Sequence, residues 1–269
     1  HIMKIMTNHK DVVTTHFDNY AGNWHERFKN HAFYLRYLAV KDFVINKESL
    51  GKIVDIGCGT GDYCQLFDTK DYLGIDISPK MIERCKNLYP NYLFEVADGD
   101  KLDIKDKSIN TVLDVAVIEY YDDPLPHMFE INRILENEGN LIIAVPNGSN
   151  KTKAINTFYN NLINPLREIL GKKSNKSNQK DPRVEHRSKT FHQMKELSNV
   201  SGFKIIQHSY VNILLFPVFH RFVGMINRRI SSMISRKNSW KWLTKYSSTI
   251  SVYEFKKIAD TNQNKNTLS

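Results

Sequence analysis

Lys52-Ile53-Val54-Asp55-Ile56-Gly57-Cys58-Gly59-Thr60-Gly61 decides the fold of this chain, and it is followed by Leu73-Gly74-Ile75-Asp76-Ile77, with Asp76 nineteen residues after Gly57. A short apolar run that ends in closely spaced glycines lets a parallel strand turn sharply and brings bare backbone against a ligand. An acidic side chain about 20 positions onward, at the end of the next strand, is placed to accept hydrogen bonds from ribose hydroxyls. Together they describe a nucleoside pocket. The spacing narrows the ligand. A dinucleotide fingerprint needs its third glycine at position 62, where this chain has Asp62; the glycine arrives one residue early, at Gly61.

The run Asp55-Ile56-Gly57-Cys58-Gly59-Thr60-Gly61 resembles the first motif of the class I S-adenosylmethionine (SAM) dependent methyltransferases, of the small-molecule and lipid O-methyltransferase kind. The resemblance covers residues 15–146 closely and 186–257 loosely. It implies a doubly wound, seven-stranded Rossmann-like α/β sheet, parallel except for an antiparallel last strand, with SAM as cofactor. It also implies roles. The glycine loop, with Asp55 and Cys58, lies under the amino-acid part of SAM; Asp76 binds the ribose and Ile77 packs on the adenine. In Phe94-Glu95-Val96-Ala97-Asp98-Gly99, Asp98 receives the adenine amino group and the Gly99 backbone meets the ring. Tyr20, in Phe17-Asp18-Asn19-Tyr20-Ala21-Gly22-Asn23-Trp24, belongs to a segment that closes over the cofactor, and Met81, Ala116 and Glu119 complete the cofactor contacts. Many relatives carry His after the Glu of the fourth-strand loop. This chain has Tyr120, so a base is not inherited there.

Helical spacing of apolar residues predicts a helix over Ala32–Ile45 and another over Pro124–Glu136. Ser78-Pro79 reads as an N-cap with proline at the first helical position. A helix over Thr190–Ser201, ended by Gly202, precedes a sixth strand at Phe203–Ile206, and Thr249–Phe255 fits the antiparallel seventh. The strand Leu141–Pro146 is the fifth. The organisation expected is a helical cap over residues 1–50, the cofactor core over 51–146, a basic insertion or lid over 147–189, the rest of the core over 190–257, and a frayed tail over 258–269.

Net charge is +9, unevenly distributed: residues 1–146 hold 16 Lys and Arg against 23 Asp and Glu, while residues 147–269 hold 22 against 6. The cofactor half is acidic, and the other half suits an anionic acceptor or surface. Two segments supply the cations. One contains a helix over Ile155–Leu170, interrupted at Pro165, and the lysine and asparagine run 172–180. The other, 211–246, has no acid; it joins Ile213-Leu214-Leu215-Phe216 to Arg228, Arg229, Arg236, Trp240 and Trp242. Its composition fits an interfacial helix in peripheral contact with a membrane, and equally a packed lid or dimer seam. His1-Ile2-Met3 reads as an expression remnant before a native start at Met3 or Met6. With three cysteines, no signal-peptide pattern and no 18-residue uncharged apolar run, the chain reads as cytoplasmic.

For a hydroxyl acceptor, methyl transfer benefits from a general base, for which histidine suits. The candidates are His186 and His192, with His186 favoured, then His127; Tyr120 is a further candidate on the loop beside the methyl group. No ligand set for a metal is visible, although Glu119, Asp122 and Asp123 lie close together. Cys58 and Cys64 read as small buried apolar side chains. Two functions follow: O-methylation of a small-molecule or lipid-like acceptor, or a nucleic-acid methyltransferase that uses the basic half. The second lacks the Asn/Asp-Pro-Pro-Tyr/Phe motif and any recognised RNA-binding module.

Overall fold

The computed structural model describes residues 9–29, 31–45, 47, 50–150, 184–213, 245–246 and 248–259. The expected helix over 155–170, the lysine run 172–180, residues 214–244 of the basic insertion and residues 260–269 of the tail lie outside the described residues. One seven-stranded sheet organises the rest, in the order β3-β2-β1-β4-β5-β7-β6. The strands are β1 (Ile53–Ile56), β2 (Tyr72–Asp76), β3 (Leu93–Val96), β4 (Ile109–Val115), β5 (Leu135–Pro146), β6 (Phe203–Ile213) and β7 (Ser248–Lys257). All neighbours from β3 to β5 pair parallel, while β7 runs antiparallel between β5 and β6. This is the doubly wound, Rossmann-like sheet expected from the sequence, with its last strand antiparallel.

Alternation along the strands builds two apolar layers. Val54, Ile56, Val112, Leu141 and Ile143 face one side, where α4 (Leu125–Ile134) and α5 (Phe191–Val200) bury Met128, Ile131, Ile134, Met194 and Leu197. Ile53, Tyr72, Leu113, Ile142 and Ala144 face the other, covered by Val40, Phe43 and Val44 of α2 (His31–Ile45) and by Ile82 and Cys85 of α3 (Pro79–Leu88). α1 (His9–Tyr20) and a 3-10 stretch over Ala21–Lys29 precede this core. Local capping sets two helix starts. Ser78 Oγ accepts from the Met81 N–H with Pro79 at the first turn, and Thr190 and Gln193 form a reciprocal capping box. Gly202 ends α5 with φ at +80°.

One boundary differs from the sequence expectation. The helix predicted through Glu136 stops at Ile134, and the chain is already extended at Leu135, which pairs with Ile109. Leu135 continues the apolar helical spacing, so nothing local marks the break. It is fixed from β7: the buried Lys257 donates to Asn132 O at 2.8 Å and to Leu135 O at 2.9 Å, satisfying carbonyls at the helix end. β6 also runs on to Ile213, seven residues past its expected end, because β7 offers a pairing edge along that length.

Candidate functional site

β1 delivers the chain into a loop that only glycine fits easily. Gly57 and Gly59 take φ of +66° and +58°, in the left-handed region where a side chain costs roughly 1–2 kcal/mol. The loop is tied to β2 and to itself: Cys58 N donates to Ile75 O, and Gly61 N donates to Cys58 O, each at 2.9 Å. Asp76, at the end of β2, closes the arrangement. Its Oδ2 accepts from Gly59 N and its Oδ1 from Ser78 N, both at 2.9 Å. Each carboxylate oxygen has a further lone pair for a ligand. Burial pushes the Asp76 carboxyl up to about 6, against the pull of the Ser78 and Gly59 N–H groups.

The neighbouring cysteines are inert. Cys58, Cys64 and Cys85 are free and buried, and burial raises the Cys58 thiol and takes Cys64 to about 12. Asp55 alternates away from Val54 and Ile56. Its buried carboxyl accepts from Tyr72 Oη at 2.7 Å, and burial raises it to about 8. Met81 is fully buried in the first turn of α3, and Ile77 is half-buried beside Asp76.

The N-terminal segment lies over this loop. The Trp24 indole sits so close that a Cβ on Gly59 would meet Nε1 at 2.7 Å. Arg27 stacks on that indole at 3.7 Å and pairs with Asp62, the residue that takes the place of a dinucleotide-type glycine. Phe17 meets Trp24 and Tyr120 edge-on, at 5.5 and 5.2 Å, and Ser78 Oγ donates to Asp18 at 2.5 Å. Lys10 bridges Asp98 at 2.5 Å and Asp100 at 2.8 Å. Tyr20 is half-buried, with its ring on His16 at 4.8 Å. Sequence reasoning missed Lys10, Arg27 and the pairing of Arg27 with Asp62. The one available signal was an aromatic and an arginine three residues apart, placed on one helical face.

The fourth-strand loop carries the other end of the site. Ala116 takes φ of +62° and donates its N–H to Ala144 O. Glu119 is buried, 4% exposed; its Oε1 accepts from His186 Nδ1 at 2.9 Å, and its backbone carbonyl accepts from Arg187 N. Tyr120 packs on the His186 ring at 4.9 Å, and burial raises its phenol far above the usual value, so it cannot act as a phenolate at neutral pH. The His186 side chain is 31% exposed.

The other histidines stand apart from that pair. His192 is 79% exposed in its side chain and pairs with Glu196 within α5. His127 is fully buried, bonded to Asp114 Oδ2 at 2.7 Å and to Gly99 O at 3.1 Å. Burial would lower this imidazole, but the Asp114 carboxylate overrides it and holds the ring above its usual value. It thus fastens the Gly99 turn to β4. Among the described residues, no group of three or more His, Cys, Asp or Glu is placed to hold a metal ion.

The residues suit a SAM molecule. Two buried polar atoms, Trp24 Nε1 beside the glycine loop and Glu119 Oε2 in the loop after β4, have no partner among the described residues, and buried polar groups ordinarily find one. Asp76 adds a buried carboxylate with an open lone pair on each oxygen at the end of β2.

Comparison with known proteins agrees with this geometry. Residues 54–143 match the family described as a methyltransferase domain. An uncharacterized protein of Methanocaldococcus jannaschii is 28% identical over 48% of this chain and 60% of its own length. A demethylmenaquinone methyltransferase of Thermotoga maritima is 29% identical over 40% of this chain and 50% of its own. The chain thus spans about half to three fifths of these two relatives. Among solved structures, a chain of the complex between the Haloferax volcanii Trm112 methyltransferase activator and a methyltransferase superposes with a TM-score of 0.62 at 18% identity, over 93% of this chain and 100% of that one. The magnesium protoporphyrin IX methyltransferase of Synechocystis PCC 6803, solved with bound S-adenosylhomocysteine, superposes at 0.57 and 14% identity over the same shares. At these identities the structural likeness is one of fold.

Proposed function

We propose that this chain, whose residues 54–143 match a methyltransferase domain, is a SAM-dependent enzyme that methylates a hydroxyl oxygen of a small-molecule or lipid-like acceptor, with the Glu119–His186 pair as its base. The observation that carries the reading is the contact between the buried Glu119 carboxylate and His186 Nδ1 at 2.9 Å. A carboxylate on Nδ1–H fixes the tautomer and leaves the Nε2 lone pair to accept a proton. Bound SAM supplies a sulfonium methyl group already activated for displacement.

The protein's work is then to align the acceptor and exclude water. Asp76 accepts the ribose hydroxyls, the Gly57–Gly61 backbone supports the amino-acid part, and Asp98, Gly99, Ile77 and Met81 hold the adenine. Lys10 shares Asp98 with the adenine amino group. Tyr20, Trp24 and Phe17 cover the cofactor, while Ala116, Glu119 and Tyr120 wall the methyl group. His186 Nε2 takes the acceptor's hydroxyl proton as the new O–C bond forms and the S–C bond breaks, leaving S-adenosylhomocysteine. Similarity to a demethylmenaquinone methyltransferase supports a small-molecule acceptor.

The test is to incubate the protein with methyl-labelled SAM and either the low-mass fraction or the RNA of a cell extract, with a metal chelator present. Label is expected in an O-methylated low-mass product. Label in RNA, or loss of turnover on chelation with rescue by magnesium, overturns the reading in favour of a nucleic-acid substrate or a metal-held acceptor respectively.

A further inference from the structure

A cavity of about 560 Å³ opens where β5 ends and α5 begins, lined among others by Ser149, Asn150, Thr190, His192, Lys245 and Tyr246. Apart from His192, a base candidate in the sequence that is exposed and paired with Glu196, none of these residues has been given a part in methyl transfer. The wall is built rather than incidental. Asn147 is buried and its amide donates to Lys245 O at 2.7 Å, Ser248 O at 3.0 Å and Ser248 Oγ at 2.9 Å, while its Oδ1 accepts from Ser149 N at 3.0 Å. One side chain therefore fastens Lys245 and Ser248 to the loop after β5. On the other side, Gly148 N donates to Lys189 O and Lys189 N to Pro146 O. A Cβ on Gly148 would lie 2.8 Å from the backbone of Lys189 and Thr190, so the two chains meet as closely as glycine permits.

The lining is cationic and aromatic together. Lys245 Nζ lies 5.2 Å over the Tyr246 ring, and the rings of Tyr246 and Phe191 are partly exposed. His192 adds a second nitrogen base, balanced by Glu196 one turn on. Fixed hydroxyl and amide groups, a lysine and half-open aromatic faces match an organic anion better than an inorganic one.

We propose that this cavity binds the anionic group, phosphate or carboxylate, of the same small molecule whose hydroxyl is methylated. The proposal rests on the O-methyltransferase reading above. Thr190 is four residues from His186, a run of chain that reaches at most about 14 Å. The acceptor therefore bridges the two, with Lys245 holding its anionic group and His186 its hydroxyl.

The test is to follow the backbone amide signals of Ser149, Asn150 and His192 by NMR, in the full chain with S-adenosylhomocysteine bound, while adding inorganic phosphate in one arm and acetate in the other. One of the two anions is expected to shift these signals in a saturable way, and the one that does identifies the group. Lys245→Gln is expected to weaken that binding at least about fivefold, and Lys245→Arg to retain it, with S-adenosylhomocysteine affinity the same in all three proteins. If neither anion shifts the signals, or if Lys245→Gln binds as tightly as the parent, the cavity is not an anion site. Failure of S-adenosylhomocysteine to bind would instead strike the methyltransferase assignment, and the same anion titration repeated on the chain alone then still reads the cavity.

Discussion

The two ends of the site are built in opposite ways. Around the glycine loop, partners are close in sequence: Gly59, Asp76 and Ser78 lie within twenty residues, and backbone conformation does most of the positioning. At the acceptor end, partners are distant. Glu119 meets His186 across 67 positions, and Asn147 holds Lys245 and Ser248 across about a hundred. A cofactor that never changes can be held by a fixed local motif. In the proposed reading the acceptor is instead met by side chains delivered from separate elements of the fold.

That contrast can be broken by mutation, beginning with the cofactor end. Asp76→Ala removes two hydrogen bonds to a charged acceptor, each worth about 1.5–3 kcal/mol. SAM affinity measured by calorimetry is expected to fall at least about tenfold. The same carboxyl, raised to about 6 by burial, gives a pH signature. Ribose binding uses the ionised form, so affinity declines as pH falls through about 6, and Asp76→Asn flattens that decline. Stability runs the opposite way. The folded state holds this proton more tightly than the unfolded chain, so the contribution of Asp76 is greatest below the ordinary carboxylate range and is lost as pH rises through about 6.

At the acceptor end, Asn147→Ala leaves buried carbonyls without donors and is expected to cost about 1–3 kcal/mol of stability. Thermal unfolding should show the loss while SAM affinity stays within about twofold. An equal loss of SAM affinity would mean that the two ends are one unit. The smallest effect is expected from Thr190→Ala, which removes the cap of α5 at a cost of about 1 kcal/mol. Denaturant unfolding measures that cost, and SAM affinity is again expected to be unchanged.

The same contrast explains what was legible in the sequence. The strand, loop and Asp76 of the cofactor end are written in nearby residues, and the doubly wound class of the sheet follows from alternating strands and helices. Asp62 was visible as the residue that spoils a dinucleotide pattern, but its arginine partner was not, because Arg27 reaches it only after the N-terminal segment folds back. His186 stood out from its own segment, yet its link to Glu119 depends on how the chain after residue 183 returns to the fourth-strand loop. The break of α4 at Leu135 was illegible for the same reason: Lys257, which fixes it, lies 122 positions away. Reading by local period finds motifs and misses partners delivered by topology.

The proposed base is tested most directly by His186→Asn, with SAM affinity and single-turnover methyl transfer to the acceptor measured on the same preparation. Removing a general base costs about 10²–10⁴-fold in the chemical step. The account predicts SAM affinity within about twofold of the parent and transfer slowed by about that factor. Transfer at the parental rate would contradict it, as would a loss of transfer that merely parallels a loss of SAM affinity.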